Sequence, residues 1–174
     1  PDGQVSARWS LEDVLCPHHI SASPQGGVLV TDLDGHQVLA LDAQGHEQWR
    51  LGKPEQPRWQ EPFNHPTHAV ECAAGGLWVT DGYGNTVVHR FDPQRQWLAA
   101  LGVPGSGPLQ FSTPHMLACA ADGSVTLSEA DAMSMMSSEI WKAVPIVAPK
   151  RCSASTCSGG QPENIPPYRP EVAI

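Results

Sequence analysis

The sequence predicts an all-β fold, an incomplete β-propeller followed by an irregular C-terminal tail. A block of sequence recurs at the spacing of propeller blades, and Pro17, Pro66 and Pro114 mark its copies 49 and 48 residues apart. Each block holds short apolar runs separated by Gly, Asp or Pro, as β-strands require. With 16 glycines and 17 prolines, the chain also has the composition of a turn-rich β protein.

The first two copies run from Cys16 to Gly52 and from His65 to Gly102. The pair Thr31-Asp32 in the first copy recurs as Thr80-Asp81 in the second. Each copy predicts a blade of four strands, and in the second copy the predicted strands are HAVECA, GGLWVTD, NTVVHRFD and QWLAALG. A meandering β-sandwich is the alternative fold, but the phased repeat favours the propeller.

A third copy opens with TPHMLACAADGSVTLSEAD and loses the pattern after Val125. We therefore predict about two and a half blades of a ring, with residues 1–132 as the partial propeller. Residues 133–174 are rich in Pro, Ser and Gly without a period, which predicts a disordered tail or one unrelated to the fold. The loss of the repeat inside a blade and a start at Pro1 lead us to expect a fragment.

Charge and composition exclude some classes of function. The formal net charge of −8 disfavours a nucleic-acid phosphate surface as partner. No apolar run reaches the roughly 18 residues of a membrane-spanning helix. The five cysteines form no CxxC pair, and their odd number leaves at least one unpaired, so the cysteines alone leave the redox compartment open.

Two histidines share a context that suggests a metal site. His18 and His115 each follow a proline where the inner strand of a blade begins, and such positions converge on the central funnel of a propeller. Imidazole is a good zinc ligand, so the two side chains could share one zinc ion. The second copy has Thr67 at this place, flanked by His65 and His68. From the residues alone, a plain loop-to-strand junction is the simpler interpretation.

Tyr83 lies in the predicted turn TDGYGN, after the second strand of the second blade. Turns at this face of a propeller gather near the funnel, so the phenol is a candidate general base. A phenol is a weak base near neutral pH unless a nearby cation or metal-bound group assists it. On the turn alone, an aromatic ring that covers a neighbouring strand is the simpler interpretation.

Other motifs predict structural roles. The stretch TDLDG begins like a calcium loop, but no glutamate follows at the required position. Asp32 recurs as Asp81, which favours a role in the turns. Trp49 and Trp97 end their blades, and we predict both in the core.

Three stretches carry a resemblance to a known family: PHHI with VTDLDGHQV, the turn TDGYGN, and PLQF followed by PH. Between about Val14 and Val125, the chain resembles the NHL-repeat propeller of the peptidyl-α-hydroxyglycine α-amidating lyases, the lyase domain of peptidylglycine α-amidating monooxygenase. The resemblance implies a six-bladed propeller in the complete domain. It also implies cleavage of a peptidyl-α-hydroxyglycine into a peptide amide and glyoxylate.

The resemblance assigns roles to four residues. His18 and His115 match two of three zinc ligands, Tyr83 matches the catalytic base, and the backbone carbonyl of Ile20 matches a ligand of a structural calcium ion. The implied cofactors are therefore zinc and calcium. The implied partners are a peptide with a C-terminal hydroxyglycine and an upstream monooxygenase domain. The implied location is the secretory pathway or the extracellular space.

The chain departs from the family pattern in several places. The third zinc histidine belongs to a later blade that is not matched here, and Ala130 lies near the place of a family arginine. The family's disulfide beside the tyrosine would need cysteines at Asn64 and Gly84. We therefore expect an incomplete site and no activity from this chain alone. The alternatives are a non-catalytic NHL scaffold that binds a protein or peptide and, ranked last, a sugar-lactonase-like hydrolase with carboxylate-bound calcium.

Overall fold

The computed structural model describes residues 5, 7–73, 75–130 and 140–142. Within these residues all regular secondary structure is β-strand. None of them forms a helix with the length and apolarity that crossing a bilayer requires. The strands are β1 (Pro17–Ala22), β2 (Val28–Asp32), β3 (Gln37–Leu41), β4 (Glu47–Gly52), β5 (His68–Glu71), β6 (Leu77–Asp81), β7 (Val87–Phe91), β8 (Trp97–Leu101), β9 (Val103–Pro104), β10 (Gln110–Phe111), β11 (Pro114–Cys119), β12 (Val125–Glu129) and β13 (Ile140–Lys142).

The first blade is the antiparallel sheet β1-β2-β3-β4, in chain order. Its third strand is buried along its whole length, as expected for a central strand packed on both faces. The turn between β1 and β2 contains Gly27 with a φ of +81°, and a Cβ there would meet the carbonyl oxygen of Leu41. Glycine is the residue that accepts both conditions without strain.

The second blade, β5-β6-β7-β8, repeats the order and pairing of the first. Val79 in its second strand pairs with Ala69 on one side and with His89 on the other. All four strands lie within the runs that the sequence predicts. The prediction of repeated four-stranded blades, and with it the all-β incomplete propeller, is confirmed.

The third blade contains β11, β12 and β13. Its strand β13 pairs with β12 although its residues lie in the segment predicted as an irregular tail. The rest of 131–174 lies outside the described residues, so the domain boundary at residue 132 stays a prediction. In the connector between blades two and three, β9 and β10 form a short parallel pair.

Two apolar clusters join the blades. One lies between the first two blades and includes Leu29, Val38 and Val79, and the other lies between blades two and three and includes Leu117. Full burial of each such side chain stabilises the fold by about 1.5–3 kcal/mol. Repeated blades therefore need each other to remove their apolar faces from water.

The two tryptophans predicted in the core differ from each other. Trp49 is half-buried and packs against the first cluster, beneath the guanidinium of Arg95 at 4.3 Å from the ring centre. Trp97 is 45% exposed, so the prediction of a core role for it was wrong. Both residues lie on the outermost strand of their blade, β4 and β8, and they differ in that Arg95 of the second blade covers the ring of Trp49.

The repeated aspartates are structural, as the sequence predicts. Asp32 is fully buried, and its carboxylate accepts hydrogen bonds from the backbone N–H of Cys16 at 2.8 Å and from the side-chain amide of Gln37 at 2.7 Å. Asp81 accepts from the backbone N–H of Asn64 and the side chain of Asn85, both at 2.8 Å. Each carboxylate therefore ties the chain that enters a blade to the end of its second strand.

Cys72 and Cys119 form a disulfide that joins blade two to blade three. Their Cα atoms are 5.5 Å apart, within the usual range for a disulfide. Cys16 is a free thiol. The bridge fastens the inter-blade boundary that contains the second apolar cluster.

Candidate functional site

Three aromatic rings from three blades meet at one end of the inner strands. The ring centres of His18 and His115 are 5.1 Å apart. The phenol of Tyr83 lies 5.6 Å from the first imidazole and 5.9 Å from the second, measured between ring centres. The structure therefore brings together the three residues that the sequence singled out, although His18 and His115 are 97 positions apart in the chain.

A β-bulge carries each of the two histidines. The pairing of β1 with β2 shifts register across His18, and the pairing of β11 with β12 shifts in the same way across His115. A bulge leaves one residue unpaired and re-aims its side chain, which is why bulges are frequent beside active sites. The repeat thus places the same irregularity in two blades and turns both imidazoles toward one point.

The orientation of His18 is set by a neighbouring blade. Its Nδ1–H donates to the carbonyl oxygen of Thr67 at 2.8 Å. A carbonyl can only accept, so the proton lies on Nδ1, and the lone pair of Nε2 faces away from this bond. This is the arrangement in which an imidazole binds a metal ion through Nε2.

The turn with Tyr83 is held firmly although its phenol is 51% exposed. Asn85 anchors the turn from within, since its side-chain amide donates to Asp81 and to the carbonyl oxygen of Arg58 at 2.9 Å. Gly82 lets the turn approach the backbone of the third blade, because a Cβ there would meet the carbonyl oxygen of Pro114. The phenol is therefore accessible to a ligand from a fixed backbone.

His68 is a residue of this region whose importance sequence reasoning missed. It is only 4% exposed, and its Nδ1 accepts from the backbone N–H of Leu117 at 2.8 Å. Burial, reinforced by His19, His115 and His18, lowers the pKa of His68 to about 3. The sequence does place His68 at the start of an inner strand, which could have marked it as a candidate. Its neutral state, however, depends on contacts between blades that the sequence does not show.

The remaining residues that the sequence analysis considered are His65, which lies apart from the three rings, and Ile20. His65 stacks edge-on against His36, with ring centres 4.4 Å apart. Ile20 lies in β1 with its side chain 61% exposed, and the calcium-binding role of its carbonyl stays a prediction. The zinc-binding role of His18 and His115 and the catalytic role of Tyr83 also stay predictions.

The donor set fits a metal ion in part. A fixed Nε2 lone pair on His18 and a second imidazole beside it are suitable for zinc. In the described part of the chain, no group of three or more His, Cys, Asp or Glu side chains is arranged to hold a metal ion. Catalytic zinc sites use three protein ligands, and the two imidazoles of this cluster are one short of that number.

The positions of the family's disulfide are adjacent in this fold. A Cβ at Gly84 would lie against the carbonyl oxygen and side chain of Asn64. The two positions at which the resemblance implies a disulfide therefore lie close together, although neither carries a cysteine.

Comparisons with known proteins identify relatives of this chain. It is 39% identical over 110 residues to the peptidylglycine alpha-amidating monooxygenase of Rattus norvegicus, a match that covers 59% of this chain and 11% of that protein. It is 30% identical over 110 residues to the probable peptidyl-alpha-hydroxyglycine alpha-amidating lyase pgal-1 of Caenorhabditis elegans, covering 61% of this chain and 31% of that protein. The resemblance to the amidating lyases is confirmed. No family model matches the chain.

A further relative is the peptidyl-alpha-hydroxyglycine alpha-amidating lyase 1 of Drosophila melanogaster, 28% identical over 92 residues and matched over 51% of this chain and 17% of its own length. The chain therefore spans between about a tenth and a third of its curated relatives. A solved streptogramin B lyase structure aligns with a TM-score of 0.47 and 15% identity, over 64% of this chain and 33% of that chain. A score this low has no bearing on function.

Proposed function

We propose that this chain carries the site of a peptidylamidoglycolate lyase, which cleaves a peptidyl-α-hydroxyglycine into a peptide amide and glyoxylate. The observation that carries the proposal is the meeting of His18, His115 and Tyr83 from three blades, with ring centres 5.1–5.9 Å apart. The names of the similar proteins point to the same reaction.

Each residue has a distinct role in the proposed reaction. His18 and His115 would hold a zinc ion, which supplies Lewis-acid polarisation of the substrate hydroxyl. Tyr83 takes the proton of this hydroxyl as general base. A carbonyl then forms at the α-carbon, the bond from this carbon to the amide nitrogen breaks, and the nitrogen keeps the electron pair and takes up the proton that Tyr83 had accepted. The products are the peptide amide and glyoxylate.

The proposed site is incomplete within the described residues, because two imidazoles supply two of three zinc ligands. We therefore expect zinc to bind weakly and the isolated chain to release no glyoxylate. The proposed structural calcium ion would bind the backbone carbonyl of Ile20 together with ligands from outside the described residues.

The wider setting of the site is also proposed. The substrate is a peptide with a C-terminal α-hydroxyglycine, and its hydroxylation requires a monooxygenase, which we place upstream on the same polypeptide. The secretory pathway or the extracellular space is the proposed compartment. The Cys72–Cys119 bridge supports this placement, since disulfides persist in oxidising compartments.

Zinc binding is the first test of the proposal. Competition against a chromophoric chelator of comparably low zinc affinity is expected to show one weakly bound zinc per chain, lost in His18→Ala and in His115→Ala. His46→Ala is the matched control, because His46 is exposed and bonds to Asp42 in a distant turn. No zinc binding by the wild-type chain, or binding that survives both substitutions, would overturn the proposal.

Glyoxylate release from a peptidyl-α-hydroxyglycine, with and without zinc, is the second measurement. A chain that binds zinc but releases no glyoxylate agrees with an incomplete site. Zinc-dependent release that Tyr83→Phe lowers by about 100-fold or more shows that the site assembles nonetheless. Zinc-dependent release that Tyr83→Phe leaves unchanged contradicts the assigned role of the phenol.

A non-catalytic scaffold that binds a protein or peptide is the second candidate function. Within the described residues, the lack of a three-ligand group favours it. It predicts that zinc leaves the thermal stability of the chain unchanged and that Tyr83→Phe alters no zinc-dependent property.

A further inference from the structure

Thr67 holds, in the second blade, the place that His18 and His115 hold in the first and third blades. It follows a proline, as each histidine does, but it has no imidazole. The residue is 1% exposed, and its backbone N–H donates to the carbonyl oxygen of Thr80 at 2.8 Å. Thr67 is thus fixed to its own blade, between the two blades that carry the histidines.

Toward the first blade, Thr67 acts through its backbone. Its carbonyl oxygen accepts the Nδ1–H of His18 at 2.8 Å. This bond selects one tautomer and one ring orientation, and leaves the lone pair on Nε2. Loss of a residue that hydrogen-bonds to a metal ligand typically lowers the metal affinity by about 10–100-fold.

Toward the third blade, Thr67 acts through its hydroxyl. The oxygen lies 2.9 Å from the carbonyl oxygen of Pro114 and 2.8 Å from the hydroxyl oxygen of Thr80. The hydroxyl of Thr80 lies in turn 3.1 Å from the carbonyl oxygen of His115 and 3.2 Å from that of His68. The two hydroxyls therefore face the backbone on both sides of the bulge that aims the imidazole of His115.

Both hydroxyls are fully buried, so water does not replace these bonds. Thr67 does more than fill space, because a valine of nearly the same volume would leave the carbonyl oxygen of Pro114 without this donor and the hydroxyl of Thr80 without its partner. The same residue thus contacts one histidine through its carbonyl oxygen and, through its hydroxyl, the carbonyl oxygen of the proline that precedes the other histidine.

We propose that Thr67 is a positioning residue that orients both histidines of the candidate zinc site from the blade between them. The inference deepens the proposed function and rests on it for the zinc-binding part only. The orientation of the two rings is a property of the metal-free chain and can be measured there.

The test uses the full chain and two substitutions of Thr67. Thr67→Val removes the hydroxyl at similar volume, and Thr67→Ser retains it. Thr126→Val is the matched control, since its hydroxyl bonds to Ala118 within one blade. Without metal, NMR gives the tautomer of His18 from its ring nitrogen shifts and the contacts between the His18 and His115 rings from nuclear Overhauser effects. With metal, chelator competition gives the zinc affinity.

We expect the wild-type chain to carry the His18 proton on Nδ1. Thr67→Val should lose the Overhauser contact between the two imidazoles and bind zinc at least about 10-fold more weakly. Thr67→Ser and Thr126→Val should stay within about twofold of the wild type in zinc affinity and keep the contact.

A His18 proton on Nε2, or ring contacts and zinc affinity unchanged in Thr67→Val, would overturn the inference. If the wild-type chain binds no zinc, the lyase proposal fails, and the metal-free spectra alone decide the role of Thr67. If Thr67→Val does not fold, Thr80→Val decides instead. It should weaken the contact of the His115 ring while leaving the His18 tautomer unchanged, and unchanged ring contacts in it would count against the inference.

Discussion

Gly82 lies directly against the carbonyl oxygen of Pro114, so that the turn with the exposed phenol of Tyr83 touches the strand that carries His115. A Cβ on this glycine would overlap backbone atoms, which cannot rotate away as a side chain can. The spacing between the phenol and the second imidazole therefore depends on the absence of a side chain at this position.

Gly82→Ala should disturb the site and the fold together. We expect the variant to lower the free energy of unfolding by about 1–3 kcal/mol, as overpacking typically does. It should also weaken the Overhauser contact between the Tyr83 and His115 rings. Gly107→Ala is the control, because a Cβ there meets the flexible end of Gln110 at 3.1 Å. Equal unfolding free energies for the two variants would show that the close approach is unimportant.

The buried His68 predicts that the chain loses stability in mild acid. Its pKa is lowered from 6.5 to about 3, first by desolvation and then by the histidines around it, His19, His115 and His18. Between these pH values the unfolded chain binds a proton that the folded chain does not. The free energy of unfolding therefore falls as the pH drops below 6.5, by up to about 1.4 kcal/mol per pH unit.

Urea unfolding at several values between pH 7.5 and 5 measures this slope, and His68→Asn provides the comparison. Asparagine offers an oxygen that can accept the N–H of Leu117, but it does not titrate. We expect a flatter pH dependence in this variant. A remaining slope of the same sign is expected from His19 and His36, whose pKa values are lowered mainly by burial. Identical slopes in variant and wild type would refute the role of His68.

The inter-blade disulfide predicts a further stability difference. The bond between Cys72 and Cys119 closes a loop with a sequence separation of 47, for which chain entropy gives about 4 kcal/mol and typical measurements about 2–4 kcal/mol. The double variant Cys72→Ser/Cys119→Ser should therefore unfold at lower urea than the wild type. Cys16→Ser is the control, since Cys16 is a free thiol. Alkylation of Cys72 and Cys119 in the unreduced wild-type chain, read by mass spectrometry, would contradict the bridge.

Blade architecture could be predicted from the sequence because its signals are local and recur. Alternating apolar runs and turn glycines mark each strand, and the repeat of Thr31-Asp32 as Thr80-Asp81 phases the blades. The meeting of His18 and His115 followed from the same repeat, because equivalent inner-strand positions of different blades converge on the central funnel.

Contacts between blades could not be predicted in this way. The hydrogen bond between His18 and Thr67 and the hydrogen bond between Leu117 and the buried His68 each join residues that are 49 positions apart in the sequence. Neither the secondary-structure propensities of the residues nor the period of the repeat shows which polar atoms meet between two blades. The exposed Trp97 shows the same limit, since an apolar residue on an outer strand has the same local signal as one in the core.

The turn beside Tyr83 predicts a disulfide that can be introduced. A Cβ at Gly84 would lie against the side chain and the carbonyl oxygen of Asn64, which places the two side-chain positions within reach of a disulfide. We expect Asn64→Cys/Gly84→Cys to oxidise without an added catalyst and to unfold at higher urea when oxidised than when reduced. The gain should be modest, about 2–3 kcal/mol, because the closed loop is short.

Single substitutions separate the bridge from the cost of the new side chain. Gly84→Cys alone should be less stable than the wild type, because its Cβ crowds the carbonyl oxygen of Asn64. Only oxidation in the double variant should recover this loss, because the bond constrains the unfolded chain and holds the two side chains together. If the double variant stays reduced in air, or if oxidation leaves its urea midpoint unchanged, then the two positions are not held as close in solution as the geometry of this turn requires.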